Sequence, residues 1–169
     1  MRIIIIEDEI PALEKIERYI LKYNSSYRIV ARLASVKEAV LWLQDPDNLF
    51  DIAFMDIQLS DGLSFEIFEE IPVKSAIIFT TAYNHYAIEA FKLNAVDYLL
   101  KPVSFERFTK GINNFLQHIS ENDEVQATSE KSTKEREFIF LKADKKHHKI
   151  NIADILYFES FLLNTINHR

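Results

Sequence analysis

Cysteine is absent from this chain of 169 residues, which excludes disulfides and thiolate metal sites and fits a reducing compartment. Glycine is nearly absent: Gly62 and Gly111 are the only two. Two isolated glycines cannot build a loop that cradles phosphates, so the usual nucleotide-binding fingerprints are excluded. No apolar run approaches the roughly 18 residues of a membrane span, and Met1-Arg2-Ile3-Ile4-Ile5-Ile6-Glu7 turns acidic too soon for a signal peptide. An excess of positive charge is missing as well. The net charge is −6, with 12 Lys/Arg against 17 Asp/Glu in residues 1–120 and 8 against 9 in residues 121–169. Neither part offers the basic surface that grips nucleic-acid phosphates. The expectation is a soluble, cytoplasmic protein with no membrane contact.

What the chain does contain is enough apolar material, 48% hydrophobic residues, for one good core and a small second unit. Arg2 to Ile6 reads as a β-branched strand buried on both faces. Pro11 fits the first turn of a helix whose apolar positions, Leu13, Ile16 and Ile20, recur at helical spacing through Tyr23. Strands follow at 27–33, 51–55, 75–80 and 95–100. Between them lie helices opened by a capping box at Ser35–Glu38, near Leu63–Glu70 and at about Asn84–Lys92, and a last helix runs from Ser104 towards Ser120. Alternating strands and helices predict a doubly wound parallel sheet of five strands, an α/β fold in the order 2-1-3-4-5. Residues 121–136 are polar and read as a linker. After them the segments 138–142, 149–152, 155–160 and 163–166 read as short β-strands, with His147-His148 in a turn.

Four strand ends carry polar groups: Glu7 and Asp8, Asp56, Thr81 and Lys101. In the order 2-1-3-4-5 the first and third strands are neighbours at the switch point, so Glu7 and Asp8 face Asp56 across one crevice, closed by Thr81 and Lys101. Each group taken singly is ordinary at a strand end or helix start; all of them in one crevice are not. Three crowded carboxylates imply a hard cation with oxygen ligands, and magnesium suits a few carboxylates plus a substrate phosphate. Lys101 offers a point charge to a phosphoryl oxygen and Thr81 a hydroxyl donor. The set describes a site in which Asp56 attacks a phosphoryl group and holds it as an acyl phosphate.

Residues 1–120 resemble the receiver domain of two-component response regulators, through Ile6-Glu7-Asp8-Glu9, Met55-Asp56-Ile57-Gln58, Thr81-Ala82 and Asp97-Tyr98-Leu99-Leu100-Lys101-Pro102. The resemblance implies that Asp56 is the phospho-acceptor and that Glu7, Asp8, Asp56 and the backbone carbonyl of Gln58 hold Mg2+. It makes Thr81 and Tyr98 the switch pair and Lys101 the phosphate-binding lysine, before a proline the family usually keeps cis. Glu7 stands where many receivers have Asp, Ser60 and Ser64 stand at places of Pro and Gly, and Gly62 arrives early. These departures read as a reshaped loop after Asp56.

Residues 137–169 resemble the opening of a LytTR-type DNA-binding domain, through Phe138-Ile139-Phe140-Leu141-Lys142 and Ile150-Asn151-Ile152-Ala153-Asp154-Ile155-Leu156-Tyr157-Phe158-Glu159. The later strands and loops of that family are not in the sequence. The implied function is a phosphorylation-switched regulator, not an enzyme, with a histidine kinase as donor, a homodimer as product and transcription as output. DNA binding is expected only of the complete C-terminal domain. A stand-alone receiver acting through protein contacts is the alternative. An aspartyl-nucleophile phosphatase is a more distant one, since that chemistry usually wants an acid where Gln58 stands.

Overall fold

A computed structural model describes residues 1–126 except Asn84 and Asn94, together with the strands at 138–143 and 146–151. The strands of the first unit are β1 (Arg2–Ile6), β2 (Arg28–Leu33), β3 (Ile52–Asp56), β4 (Gln58–Leu59), β5 (Gly62–Leu63), β6 (Ala76–Thr81) and β7 (Asp97–Leu100). Its helices are α1 (Ile10–Tyr23), α2 (Val36–Leu43), α3 (Glu66–Glu70), α4 (Ala87–Lys92) and α5 (Phe105–Gln126). The five-stranded sheet has the order β2-β1-β3-β6-β7 and is parallel throughout. This is the expected 2-1-3-4-5 order, renumbered because β4 and β5 form a two-stranded hairpin inserted after β3.

Strand periodicity sorts the core. Odd positions of β1 (Ile3, Ile5) join Ile52, Phe54, Ile78 and Leu99 against Ile16 and Ile20 of α1 and Phe108, Ile112 and Phe115 of α5. Even positions (Ile4, Ile6) join Ala53, Met55, Ile77 and Phe79 against Ala39 of α2, Ile67 of α3 and Ala90 of α4. Alternate side chains point to opposite faces of a strand, so four successive isoleucines feed two cores at once. Gly111 lets α5 press onto the sheet edge: a Cβ there would stand 3.2 Å from Asp97 Oδ2 and 3.4 Å from Ile78 Cδ1. Arg107, one turn earlier, donates to both Asp97 oxygens (2.7 and 2.6 Å) and to the Tyr98 carbonyl (3.1 Å).

The start of α2 is sealed by side chains. Glu38 N–H donates to Ser35 Oγ at 3.1 Å, and Glu38 Oε2 accepts from Ala34 N–H at 2.8 Å. The capping box therefore forms with its return bond displaced by one residue. Two expectations are corrected at the other end of the chain. Helix α5 runs through Gln126, into the segment read as linker, and His147 and His148 lie within a strand, not in a turn. That strand, β9 (Lys146–Asn151), pairs antiparallel with β8 (Phe138–Ala143). The chain divides into two compact units, Met1–Val125 and Gln126–Arg169. The strands expected at 155–160 and 163–166, and most of the linker, lie outside the described residues. Among the described residues no helix is long and apolar enough to cross a membrane.

Candidate functional site

Because β1, β3, β6 and β7 are parallel, their carboxyl ends lie on one edge of the sheet. The chain leaves each strand there with a polar residue, and these residues line an open pocket of about 330 Å³, among them Asp8, Asp56, Gln58, Thr81 and Lys101. Carboxylate oxygens of Glu7, Asp8 and Asp56 lie within 4.8 Å of one another. Glu7 and Asp56 are almost wholly buried, at 3% and 6% exposure. Three carboxyl groups at that spacing fit a small hard cation such as Mg2+.

Lys101 enters the same cluster from the end of β7. Its Nζ donates to Asp56 Oδ2 at 2.5 Å and to Glu7 Oε1 at 2.8 Å, and reaches Glu9 Oε2 at 3.4 Å. Burial works against the charge on Lys101, but its bonds to Asp56 and Glu7 outweigh it and raise its pKa to about 12. Glu7 goes the other way. Burial is the largest influence, and with the neighbouring charge of Asp56 it overcomes the Lys101 hydrogen bond and pushes the Glu7 pKa up to about 7.

That shift gives stability a pH dependence. Folded Glu7 keeps its proton up to about pH 7, while the unfolded side chain releases it near 4.5. Between those values the folded state binds more protons, so the metal-free protein loses stability as pH rises through the window. Glu7→Gln should flatten this slope and, in chelator at pH 8, raise unfolding stability by about 1–3 kcal/mol. Urea unfolding at pH 5 and pH 8 checks it; a variant less stable than wild type at pH 8 would show that the Lys101 bond outweighs burial.

Thr81 is fully buried, and its Oγ1 accepts from Tyr83 N–H at 3.3 Å. The Tyr98 hydroxyl donates to the carbonyl of the same Tyr83. Thr81 and Tyr98 therefore grip one residue of the loop before α4 from its two backbone sides. The Tyr98 pKa is raised, chiefly by burial and secondarily by Glu89 and Tyr86, which keeps the phenol a donor. Gln58 donates its backbone N–H to Asp56 Oδ1 at 3.2 Å and its side-chain amide to Tyr86 Oη at 3.4 Å. The Lys101-Pro102 bond is cis.

All seven residues singled out in the sequence lie around this edge. Three others were not foreseen as parts of it. Glu9 touches Lys101, and Tyr83 receives both Thr81 and Tyr98. Asp61, at the tip of the β4–β5 hairpin, accepts from Val36 N–H at 2.7 Å and Lys37 N–H at 3.0 Å. Slight burial opposes the charge on Asp61, but the N–H groups of Lys37, Val36 and Asp61 itself hold its carboxyl below the usual range. No local sequence signal marks Asp61, since its partners lie 25 and 24 residues away. Ser64 is fully buried, and its Oγ has no hydrogen-bond partner among the described residues.

Residues 3–113 match the family described as the response regulator receiver domain. The chain is 30% identical over 162 residues to the sensory transduction protein LytT of Bacillus anthracis, covering 93% of this chain and 65% of that protein. It is 34% identical over 116 residues to the transcriptional regulatory protein LytR of Staphylococcus aureus, covering 67% of this chain and 46% of that protein. The chain thus spans less than two thirds of these relatives. Among solved structures, the response regulatory domain of protein mrkE from Klebsiella pneumoniae is similar with a TM-score of 0.61 and 31% identity, over 72% of this chain and 99% of that one.

Proposed function

Since the chain belongs to the response regulator receiver family, matched over residues 3–113, we propose that it is the phospho-accepting part of a two-component regulator, with Asp56 as acceptor and a histidine kinase as donor. One observation carries this reading: the Asp56 carboxylate clusters with those of Glu7 and Asp8, oxygens within 4.8 Å of one another, and lies 2.5 Å from the Lys101 ammonium. An Asp56 oxygen attacks phosphorus as the donor's P–N bond breaks, and the imidazole nitrogen leaves with the electron pair and takes up a proton. Glu7, Asp8, Asp56 and the Gln58 carbonyl would hold Mg2+, which when bound supplies the positive charge that offsets the carboxylates and the phosphoryl oxygens. Lys101 turns from its carboxylate partners to a phosphoryl oxygen, and Thr81 donates its hydroxyl to another. To reach that oxygen the Thr81 side chain moves away from Tyr83 N–H, which frees the loop before α4 and with it Tyr98.

Relatives named for sensory transduction and transcriptional regulation support a regulatory output. We read residues 137–169 as the start of a LytTR-type domain, with the receiver extending through α5 to Gln126, the polar residues between as linker and a cytoplasmic homodimer as the active form. DNA contact belongs to the complete C-terminal domain. Incubation with a small-molecule phosphodonor and MgCl2 should add one phosphoryl group by intact mass and raise the molar mass in light scattering; EDTA should abolish both. Phosphorylation undiminished by EDTA would overturn the cation's role, and a phosphorylated chain unchanged in mass by scattering would overturn the dimer.

A further inference from the structure

The turn after Asp56 is fastened at its root and its tip. Leu63 N–H also donates to Glu66 Oε1 at 2.9 Å on the β5 side, and Gln58 N–H to Asp56 Oδ1 at 3.2 Å on the β4 side. At its root, Ile57 N–H donates to the Thr80 carbonyl at 3.1 Å and Ser64 N–H to the Ile57 carbonyl at 2.9 Å. Between root and tip there are only two ladder pairs, Gln58 with Leu63 and Leu59 with Gly62. So short a hairpin does not hold its own shape. The tip is held from outside. Asp61 accepts from Val36 and Lys37 N–H, the first two unpaired donors of α2, while Ser60 Oγ adds only a 3.4 Å contact to the Ala34 carbonyl. The strand that ends at this tip begins with Gln58, which lines the acidic pocket.

We infer that Asp61 is a positioning residue for the cation site: by clamping the tip of the β4–β5 hairpin onto the first turn of α2, it fixes the Gln58 backbone beside Glu7, Asp8 and Asp56. The inference rests on the phospho-acceptor reading above. Mg2+ demands near-ideal octahedral geometry, so a loosened carbonyl costs affinity even when the carboxylates are untouched. The arrangement also ties α2, packed on the Ile4 and Ile6 face of the sheet, to the turn after Asp56.

The test measures Mg2+ affinity of the full chain from the rise of its urea-unfolding midpoint with MgCl2, each variant against its own metal-free midpoint. Loss of a supporting contact typically costs 10- to 100-fold in metal affinity, and Asp61→Ala should weaken binding about tenfold, at the low end of that range. Asp61→Asn keeps one of the two oxygen acceptors, its amide nitrogen being a donor, and should lose less affinity than Asp61→Ala, about threefold. Ser35→Ala removes a different cap of α2 and should leave affinity unchanged. Asp61→Ser, whose hydroxyl oxygen stands one bond short of both carboxylate oxygens, takes the place of the alanine variant if that variant does not fold. Equal losses in Asp61→Asn and Asp61→Ala would make the effect one of long-range charge and overturn the inference. A loss in Ser35→Ala as large as in Asp61→Ala would reduce it to the stability of α2, and an unchanged Asp61→Ala would end it. If Glu7→Gln loses Mg2+ while Asp61→Ala does not, the phospho-acceptor reading stands and this inference falls. A wild-type chain that gains nothing from Mg2+ removes both.

Discussion

Asp56→Asn is expected to remain folded and to take up no phosphoryl group from a small-molecule phosphodonor with Mg2+, where the wild type takes up one. The amide is nearly the shape of the carboxylate, so its oxygen can still accept from the Gln58 N–H, which stands 3.2 Å from Asp56 Oδ1. What it lacks is the anionic oxygen that attacks phosphorus. Removing one of three crowded carboxylates lowers the repulsion in the pocket but also gives up the Lys101 bond to Asp56 Oδ2. The two effects oppose, so the variant should unfold close to the wild-type urea concentration in chelator. The two readouts separate chemistry from folding. Intact mass and peptide mapping decide the acceptor: the same mass gain in Asp56→Asn, with the label on Asp8 or Glu7, would refute the assignment.

Phe108→Ala is expected to damage the fold by about 3–5 kcal/mol, the usual range for truncating a buried aromatic residue. Phe108 is wholly buried where α5 meets the sheet. Its ring stacks on Phe54 with centroids 5.1 Å apart and on Phe105 at 6.2 Å, and Tyr19 and Tyr23 approach at 5.6 and 6.5 Å. Alanine would leave a void bounded by β3, α1 and α5, and these elements cannot collapse together because the sheet fixes their spacing. Domains are stable by only about 5–15 kcal/mol, so the variant should be marginal at 37 °C. Urea unfolding with an unchanged denaturant slope measures the loss. A loss below about 1 kcal/mol would show that the α1–α5 layer repacks freely, contrary to what close packing predicts.

The sequence by itself determined the parallel α/β architecture and the edge on which its polar groups gather. Both are local properties. Four consecutive isoleucines suit a strand buried on two faces, and helices between strands force crossovers that place every carboxyl end on one side. Once that is so, Glu7, Asp8, Asp56, Thr81 and Lys101 converge without any knowledge of side-chain packing. Only the tertiary structure decided how they interact. Lys101 is not a mere strand-end lysine but the counter-ion of Asp56 and Glu7, and that depends on where the turn into Pro102 points its stem. Tyr83 became the common partner of Thr81 and Tyr98 through its backbone, which carries no residue signature. Asp61 meets α2 across 25 residues of chain, and α5 continues to Gln126 through a stretch whose polarity reads as linker. Polarity shows that a segment buries little, but it does not show that the backbone stops hydrogen-bonding along a helix already begun. Elements and their order follow from periodicity along the chain, whereas the partners of a carboxylate, a lysine or a loop carbonyl follow from distances that only the folded chain sets.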